Sequence, residues 1–119
     1  DGSSSWFLPR AVGMRRATEL YLTNRTLSAA EALDWGLLTR VVTGDTLDEE
    51  VDKLATQLAS GPTLAYGKVK KLMLHTQTDS LESQMQRETR YISECATTQD
   101  AQAGFKAFVT KQKPEFYGR

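Results

Sequence analysis

Apolar residues recur every three or four positions through most of this chain, which is the spacing of amphipathic α-helices. The pattern predicts a short helical turn at residues 6–8 and longer helices at residues 14–24, 47–60, 64–75, 80–96 and from 99 until shortly before Pro114. In the helix near residue 80, Leu81, Met85 and Ile92 are expected to face inward. The chain is therefore predicted to be mainly helical.

Local signals predict where several helices begin and end. Ser28 and Glu31 have the spacing of a capping box, which places a short helix after Ser28, and Gly36 is suited to end it. Thr98 is a suitable first cap for the last helix. Residues 37–42 end in β-branched side chains and predict a strand, so one or two short strands are expected among the helices.

Composition excludes several classes of partner. Fifteen basic and fifteen acidic side chains give a formal charge of zero, so no field of one sign recruits nucleic acid. The apolar runs are far shorter than a membrane span requires. Cys95 is the only cysteine, which rules out an intrachain disulfide and predicts a reducing compartment.

The side chains offer few candidates for chemistry. One His and one Cys cannot form a zinc site, and neither a phosphate-binding loop nor a dinucleotide fingerprint is present. His75 is expected to be a solvated surface residue and Cys95 a small packing residue. Asp1 and the small residues after it remain, because a carboxylate before a helix and a compact backbone suit a ligand site. Composition alone favours a plain turn there.

Several segments in unbroken register resemble the crotonase family, the group of enoyl-CoA hydratases and isomerases. No single segment is specific, but together they cover essentially the whole chain. They are LPRAVG at 8–13, ATELYLTNR at 17–25, LSAAEALDWGLLTRVV at 27–42, GPT at 61–63, TQD at 98–100, AFVTK at 107–111 and KPEFYGR at 113–119.

The resemblance implies an α/β fold of stacked ββα turns in a longer protein, of which this chain is the C-terminal half. The abrupt start without Met agrees with that expectation. Residues 1–45 would end the crotonase core, and residues 46–119 would form a helical region that assembles trimers, often paired as hexamers. The N-terminal half of the same protein is then an expected partner, and the bacterial cytoplasm is the expected location, with the mitochondrial or peroxisomal matrix as alternatives.

The family's chemistry is stabilisation of a thioester enolate by two backbone N–H groups, which belong to the N-terminal half. Coenzyme A is then part of the substrate, and no other cofactor or metal is expected. The resemblance implies that Asp1 moves a proton along the acyl chain. It also implies that Gly2, Trp6 and Phe7 line the acyl pocket.

At the other end of the chain, the resemblance implies that Phe108 and Lys111 meet the adenine and phosphates of coenzyme A. Without the resemblance, Phe108 would be taken as a core residue and Lys111 as a solvated one.

Three functional hypotheses remain open. The first is an enoyl-CoA isomerase or hydratase, the latter with only upstream glutamates at work. The second is an enzyme similar to 4-chlorobenzoyl-CoA dehalogenase, in which Asp1 attacks the aromatic ring as a nucleophile; residues 12–17 and 22–27 also resemble that group. The third is that the isolated chain is a non-catalytic module for oligomerisation and acyl-CoA contact.

Overall fold

The computed structural model describes residues 2–119, which form seven α-helices in two compact units. The first unit ends at Leu47 and the second runs from Asp48 to Arg119. The helices are α1 Ser4–Val12, α2 Met14–Thr23, α3 Ala29–Asp34, α4 Leu47–Ala59, α5 Thr63–His75, α6 Leu81–Ala96 and α7 Gln99–Thr110.

The first unit is built on the contact of α1 with α2. Gly13 joins the two helices with a φ of 85°, a value that glycine adopts without steric cost. Val12 and Ala17 are buried, and the Tyr21 hydroxyl donates a 2.7 Å hydrogen bond to Ser4 Oγ across the helix pair. The third helix of this unit begins at the predicted capping box.

In the second unit, α5 packs against α6 and α6 packs against α7. Ser80 and Thr98 cap the last two helices, because their hydroxyls accept the backbone N–H groups of Ser83 and Ala101. Tyr91 and Ala107 are the buried apolar residues of this unit, and Asp100 is its buried charged residue.

The prediction of a strand at residues 37–42 is wrong. The residues described by the structure contain no strand, and this segment is made of turns and irregular backbone. A strand requires a neighbour for its backbone hydrogen bonds, and residues 2–119 include no second extended segment paired with it. The β-branched residues indicate a local preference for extended backbone, but the described residues provide no strand with which this segment could pair.

The inward orientation predicted for three residues of α6 is also wrong. Leu81, Met85 and Ile92 are 72%, 57% and 62% exposed. The helical period was predicted correctly, but within the described chain no other helix covers that face enough to bury these side chains. Apolar side chains of α4 are exposed in the same way, namely Leu47, Val51, Leu54 and Leu58. None of the helices described here has the length and apolar character to cross a membrane.

Candidate functional site

The backbone at the start of α1 is exposed. Gly2 and Ser3 have positive φ values of 58° and 64°, and the space where a side chain on Gly2 would lie is open. The Ser3 carbonyl accepts the N–H groups of Trp6 and Phe7 at 2.9 and 3.1 Å, which begins the helix. Asp1, the predicted catalytic residue, lies outside the described residues.

Trp6 and Phe7 form one aromatic cluster at this helix start. Their ring centroids are 4.7 Å apart in an edge-to-face arrangement. The Arg10 guanidinium lies 3.8 Å from the centre of the Trp6 ring and donates to the Trp6 carbonyl at 2.8 Å. Phe7 is 52% exposed, so its ring offers an apolar surface to a ligand or to another part of the protein.

The end of α7 places Phe108 and Lys111 one helical turn apart. Phe108 is 85% exposed, which contradicts the interpretation as a core residue. Lys111 adopts a left-handed conformation with a φ of 54°. Its N–H donates to the Phe108 carbonyl and that of Gln112 to the Ala107 carbonyl, which is the pattern of a Schellman motif. Glycine is the usual residue at this position, so a lysine here adopts a disfavoured backbone.

A largely apolar groove of about 770 Å³ runs between the last three helices of the second unit. Val69 and Leu72 line it from α5, Ile92 from α6 and Phe108 from α7. Phe116, in the C-terminal segment, also lines the groove and lies against Gly104. The exposed ring of Phe108 is therefore part of a concave apolar surface.

Polar groups lie along the same groove. The Lys68 ammonium donates to the Glu94 carboxylate and lies 4.6 Å from the centre of the Tyr91 ring. The hydrogen bond from Lys68 is the main reason why the pKa of Glu94 lies below its ordinary value. Burial alone would raise the pKa of Tyr91, but hydrogen bonds and charges from neighbouring arginines and Lys71 lower it overall. Lys68 itself lines the groove, as do the acidic residues Glu88 and Asp100, so the groove is not lined by apolar residues alone.

The structure brings some predicted site residues together. Trp6 and Phe7 share a cluster in the first unit, and Phe108 and Lys111 share the end of α7 in the second. The sequence predicted no role for Lys68 or for the buried Asp100, although the TQD step at 98–100, one of the segments that carry the resemblance, includes Asp100. Within residues 2–119, no three His, Cys, Asp or Glu side chains are grouped as a metal ion would require.

The model of one protein family, enoyl-CoA hydratase/isomerase, matches residues 1–119. The chain belongs to the enoyl-CoA hydratase/isomerase family. It is 34% identical over all 119 residues to the 1,2-epoxyphenylacetyl-CoA isomerase of Escherichia coli, of which it covers 45%. It is 44% identical over 92 residues, 77% of this chain, to a 4-chlorobenzoyl coenzyme A dehalogenase of an Arthrobacter species, of which the match covers 33%.

Solved structures of the family give the same result for the fold. The crystal structure of a protein assigned as an enoyl-CoA hydratase/isomerase from Mycobacterium abscessus superposes with a TM-score of 0.95 at 34% identity. The match covers 100% of this chain and 46% of that one. The chain thus has the fold of the corresponding part of the enoyl-CoA hydratase/isomerase family, and it spans less than half the length of each of these relatives.

Proposed function

We propose that the complete protein is an enoyl-CoA hydratase or isomerase that acts through a stabilised thioester enolate. The observation that carries this proposal is the match of the family model to all 119 residues. The relatives named above act, by their names, on coenzyme A thioesters. In this proposal the two oxyanion-stabilising N–H groups come from upstream residues, and this chain supplies an acidic group and a surface for the coenzyme.

The acidic group is Asp1, which would move a proton at the acyl chain. Support comes from its position directly before Gly2 and Ser3, where the backbone is open enough for a substrate to approach. The aromatic cluster of Trp6 and Phe7 would supply an apolar wall close to Asp1 in the sequence. Such a wall favours an apolar acyl group over water near the reacting carbon.

In the complete protein, Asp1→Asn should lower kcat by about a hundredfold or more, because the amide cannot accept the transferred proton. The KM should change little, since the amide has the size of the carboxyl group. Steady-state kinetics with crotonyl-CoA for hydration and a 3-enoyl-CoA for isomerisation would measure both constants. Unchanged turnover with both substrates would remove Asp1 from the mechanism.

The coenzyme contact is Phe108 and Lys111. Phe108 offers an exposed aromatic face on which adenine can stack, and Lys111, one turn away, offers a point charge for a phosphate. The backbone of Lys111 supports this role. A lysine in the left-handed conformation at a helix end costs about 1 kcal/mol of stability relative to glycine. A binding role for the Lys111 side chain would explain why this cost is tolerated.

Lys111→Gly tests separately the backbone strain of Lys111 and the phosphate contact proposed for its side chain. The substitution should raise the free energy of unfolding of the complete protein by about 1 kcal/mol, because glycine adopts this conformation without strain. It should raise the KM for crotonyl-CoA about tenfold, the loss expected for one charged contact. Crotonyl-pantetheine lacks the nucleotide and its phosphates, so its KM should stay unchanged. Lys111→Arg should retain most of the affinity for crotonyl-CoA.

Asn24 provides a matched control, because it too ends a helix in the left-handed conformation, with a φ of 49°. Asn24→Gly should alter stability slightly and leave both KM values unchanged. If Lys111→Gly leaves the KM for crotonyl-CoA within twofold of the native value, the coenzyme contact proposed for Lys111 is wrong.

A second candidate function is supported by the 44% identity to the dehalogenase. In this case the Asp1 carboxylate would attack the ring carbon that carries chlorine, chloride would leave, and water would hydrolyse the resulting aryl ester. Incubation of the complete protein with 4-chlorobenzoyl-CoA would test it by chloride release and by mass spectrometry of the peptide containing Asp1. An added aryl group on that peptide would decide for the dehalogenase, and no chloride release would remove this candidate.

A further inference from the structure

The last eight residues of the chain, 112–119, return from the end of α7 to its beginning. There the Asp100 carboxylate accepts two successive backbone N–H groups, that of Tyr117 at 2.6 Å and that of Gly118 at 2.8 Å. The N–H of Asp100 donates to the Arg119 carbonyl at 3.0 Å. Asp100 is only 5% exposed. The C-terminal segment is therefore fixed at both ends, by the Schellman motif at Lys111 and by Asp100.

The return of the segment depends on Gly118. Its φ is 74°, and a Cβ atom on this residue would lie 2.6 Å from Thr63 Oγ1, at the first residue of α5. A side chain is therefore excluded both by the backbone conformation and by space. The end of the segment is closely fitted between the starts of α5 and α7, and its backbone groups make the hydrogen bonds with Asp100.

We propose that Asp100 is a positioning residue for Lys111, an inference that rests on the coenzyme contact proposed above. The left-handed conformation is unfavourable for lysine, so Lys111 tends to change to another backbone conformation. The end of α7 would then fray. The two hydrogen bonds from the Tyr117 and Gly118 N–H groups to the Asp100 carboxylate form a clamp. Residues 112–116 connect Lys111 to this clamp. Because the clamp holds the far end of these residues, they can adopt fewer conformations. Asp100 thus keeps Lys111 in its turn although it contacts neither Lys111 nor the coenzyme.

The expected loss of coenzyme affinity follows from the fraction of molecules in which Lys111 keeps its left-handed conformation. The apparent affinity of a site falls by the fraction of molecules in which it is correctly formed. If release of the segment leaves Lys111 in its turn in about one tenth of the molecules, the affinity for the coenzyme falls about tenfold. Turnover at saturating substrate would not change, because the bound state is the same.

The test uses Asp100→Asn in the complete protein. The amide keeps the shape of the side chain but retains only one oxygen for the two N–H groups. Hydrogen exchange of the Tyr117 and Gly118 amides should become faster, which verifies that the clamp is released. The KM for crotonyl-CoA should rise several-fold, and kcat and the KM for crotonyl-pantetheine should stay within twofold of the native values.

Thr98→Ala is the matched control, because it removes a cap from the same helix start and leaves the clamp intact. It should lower stability without changing the KM for crotonyl-CoA. The double variant with Asp100→Asn and Lys111→Gly should have the KM of Lys111→Gly alone, since both changes remove the same contact. If Asp100→Asn fails to fold, Gly118→Ala disturbs the clamp from the other side and should give the same rise in KM.

The outcomes separate the two proposals. If the clamp opens but the KM for crotonyl-CoA is unchanged, or if the effects of Asp100→Asn and Lys111→Gly on KM add fully, the positioning role is wrong. The coenzyme contact would still stand on the effect of Lys111→Gly. If Lys111→Gly itself has no effect, the coenzyme contact fails and the positioning role fails with it.

Discussion

Ser28 and Glu31 satisfy each other's backbone N–H groups across the first turn of α3. The Ser28 hydroxyl accepts the Glu31 N–H at 3.2 Å, and Glu31 Oε2 accepts the Ser28 N–H at 3.3 Å. The bond from the Ser28 backbone is the largest of the causes that lower the pKa of Glu31. Glu31 also pairs with Arg25 at 3.3 Å, so the short helix α3 is linked to the chain that precedes it.

Loss of this capping box should destabilise the protein in a graded way. Ser28→Ala should lower the free energy of unfolding by about 1 kcal/mol, because the Glu31 N–H loses its acceptor. Glu31→Gln should have a smaller effect, since an amide oxygen can still accept the Ser28 N–H. Urea unfolding of the complete protein would measure both. Equal losses for the two variants would show that the charge of Glu31, which also pairs with Arg25, matters as much as the Ser28 cap.

The ion pair of Glu94 with Lys68 should make stability depend on pH in the acid range. Because the pKa of Glu94 in the folded protein lies below its ordinary value of 4.5, the charged carboxylate favours folding above that value. This contribution is lost as the pH falls through the lowered pKa. Native protein should therefore exceed Glu94→Gln in stability at neutral pH, and the difference should shrink under acid conditions.

Chemical denaturation at several pH values would measure this difference. The same comparison in a Lys68→Met background is the control, because removal of the ammonium takes away the main cause of the shift. A difference between native protein and Glu94→Gln that stays constant from neutral to acid pH would contradict the prediction.

The coenzyme contact proposed for Lys111 should weaken with salt. An exposed ammonium and a phosphate are screened by added ions. The KM for crotonyl-CoA should rise roughly twofold between about 0.05 M and about 0.5 M ionic strength in the native protein, and it should hardly change in Lys111→Gly. Initial rates in sodium chloride would measure this dependence. A parallel rise in both proteins would assign the salt effect to other charges.

The 119 residues on their own should show no hydratase or isomerase turnover above background. In the proposed mechanism the thioester carbonyl is polarised by upstream N–H groups, and without them the enolate loses its main stabilisation. At high concentrations of the purified chain, hydration is measured by the loss of absorbance of crotonyl-CoA and isomerisation by the gain of absorbance from a 3-enoyl-CoA. Turnover by this chain alone would show that it contains a complete site of its own.

Several helix boundaries could be predicted from the sequence because their causes are local. The first helix is an exception, since the short turn predicted at residues 6–8 is a nine-residue helix, Ser4–Val12, that continues through Pro9. The capping residues Ser28, Ser80 and Thr98 each bond to a backbone N–H three residues later, so a few letters of sequence contain the whole interaction. The family resemblance extended this to the fold, since the segments that carry it indicate the crotonase group. The positions of Phe108 and Lys111 on one helix end also followed from sequence, although their roles stay predictions.

Non-local features could not be predicted in this way. The prediction of a strand at residues 37–42 is wrong because a strand forms only with a partner strand, which a local preference does not supply. The clamp at Asp100 could not be predicted because the Asp100 carboxylate binds backbone N–H groups 17 and 18 residues away. Almost every residue has the same backbone N–H group, so a pattern of side chains cannot show which of these groups a distant carboxylate binds.

The folded-back C-terminal segment has a practical consequence for labelling. A dye or affinity tag attached after Arg119 would emerge beside the first turn of α7, because the Arg119 carbonyl is held there by the Asp100 N–H. The 12-residue helix is about 18 Å long, so the label would be that far from the helix end that carries Lys111. A fluorophore at Arg119 would therefore report on release of the segment without obstructing a nucleotide bound at the opposite end of the helix.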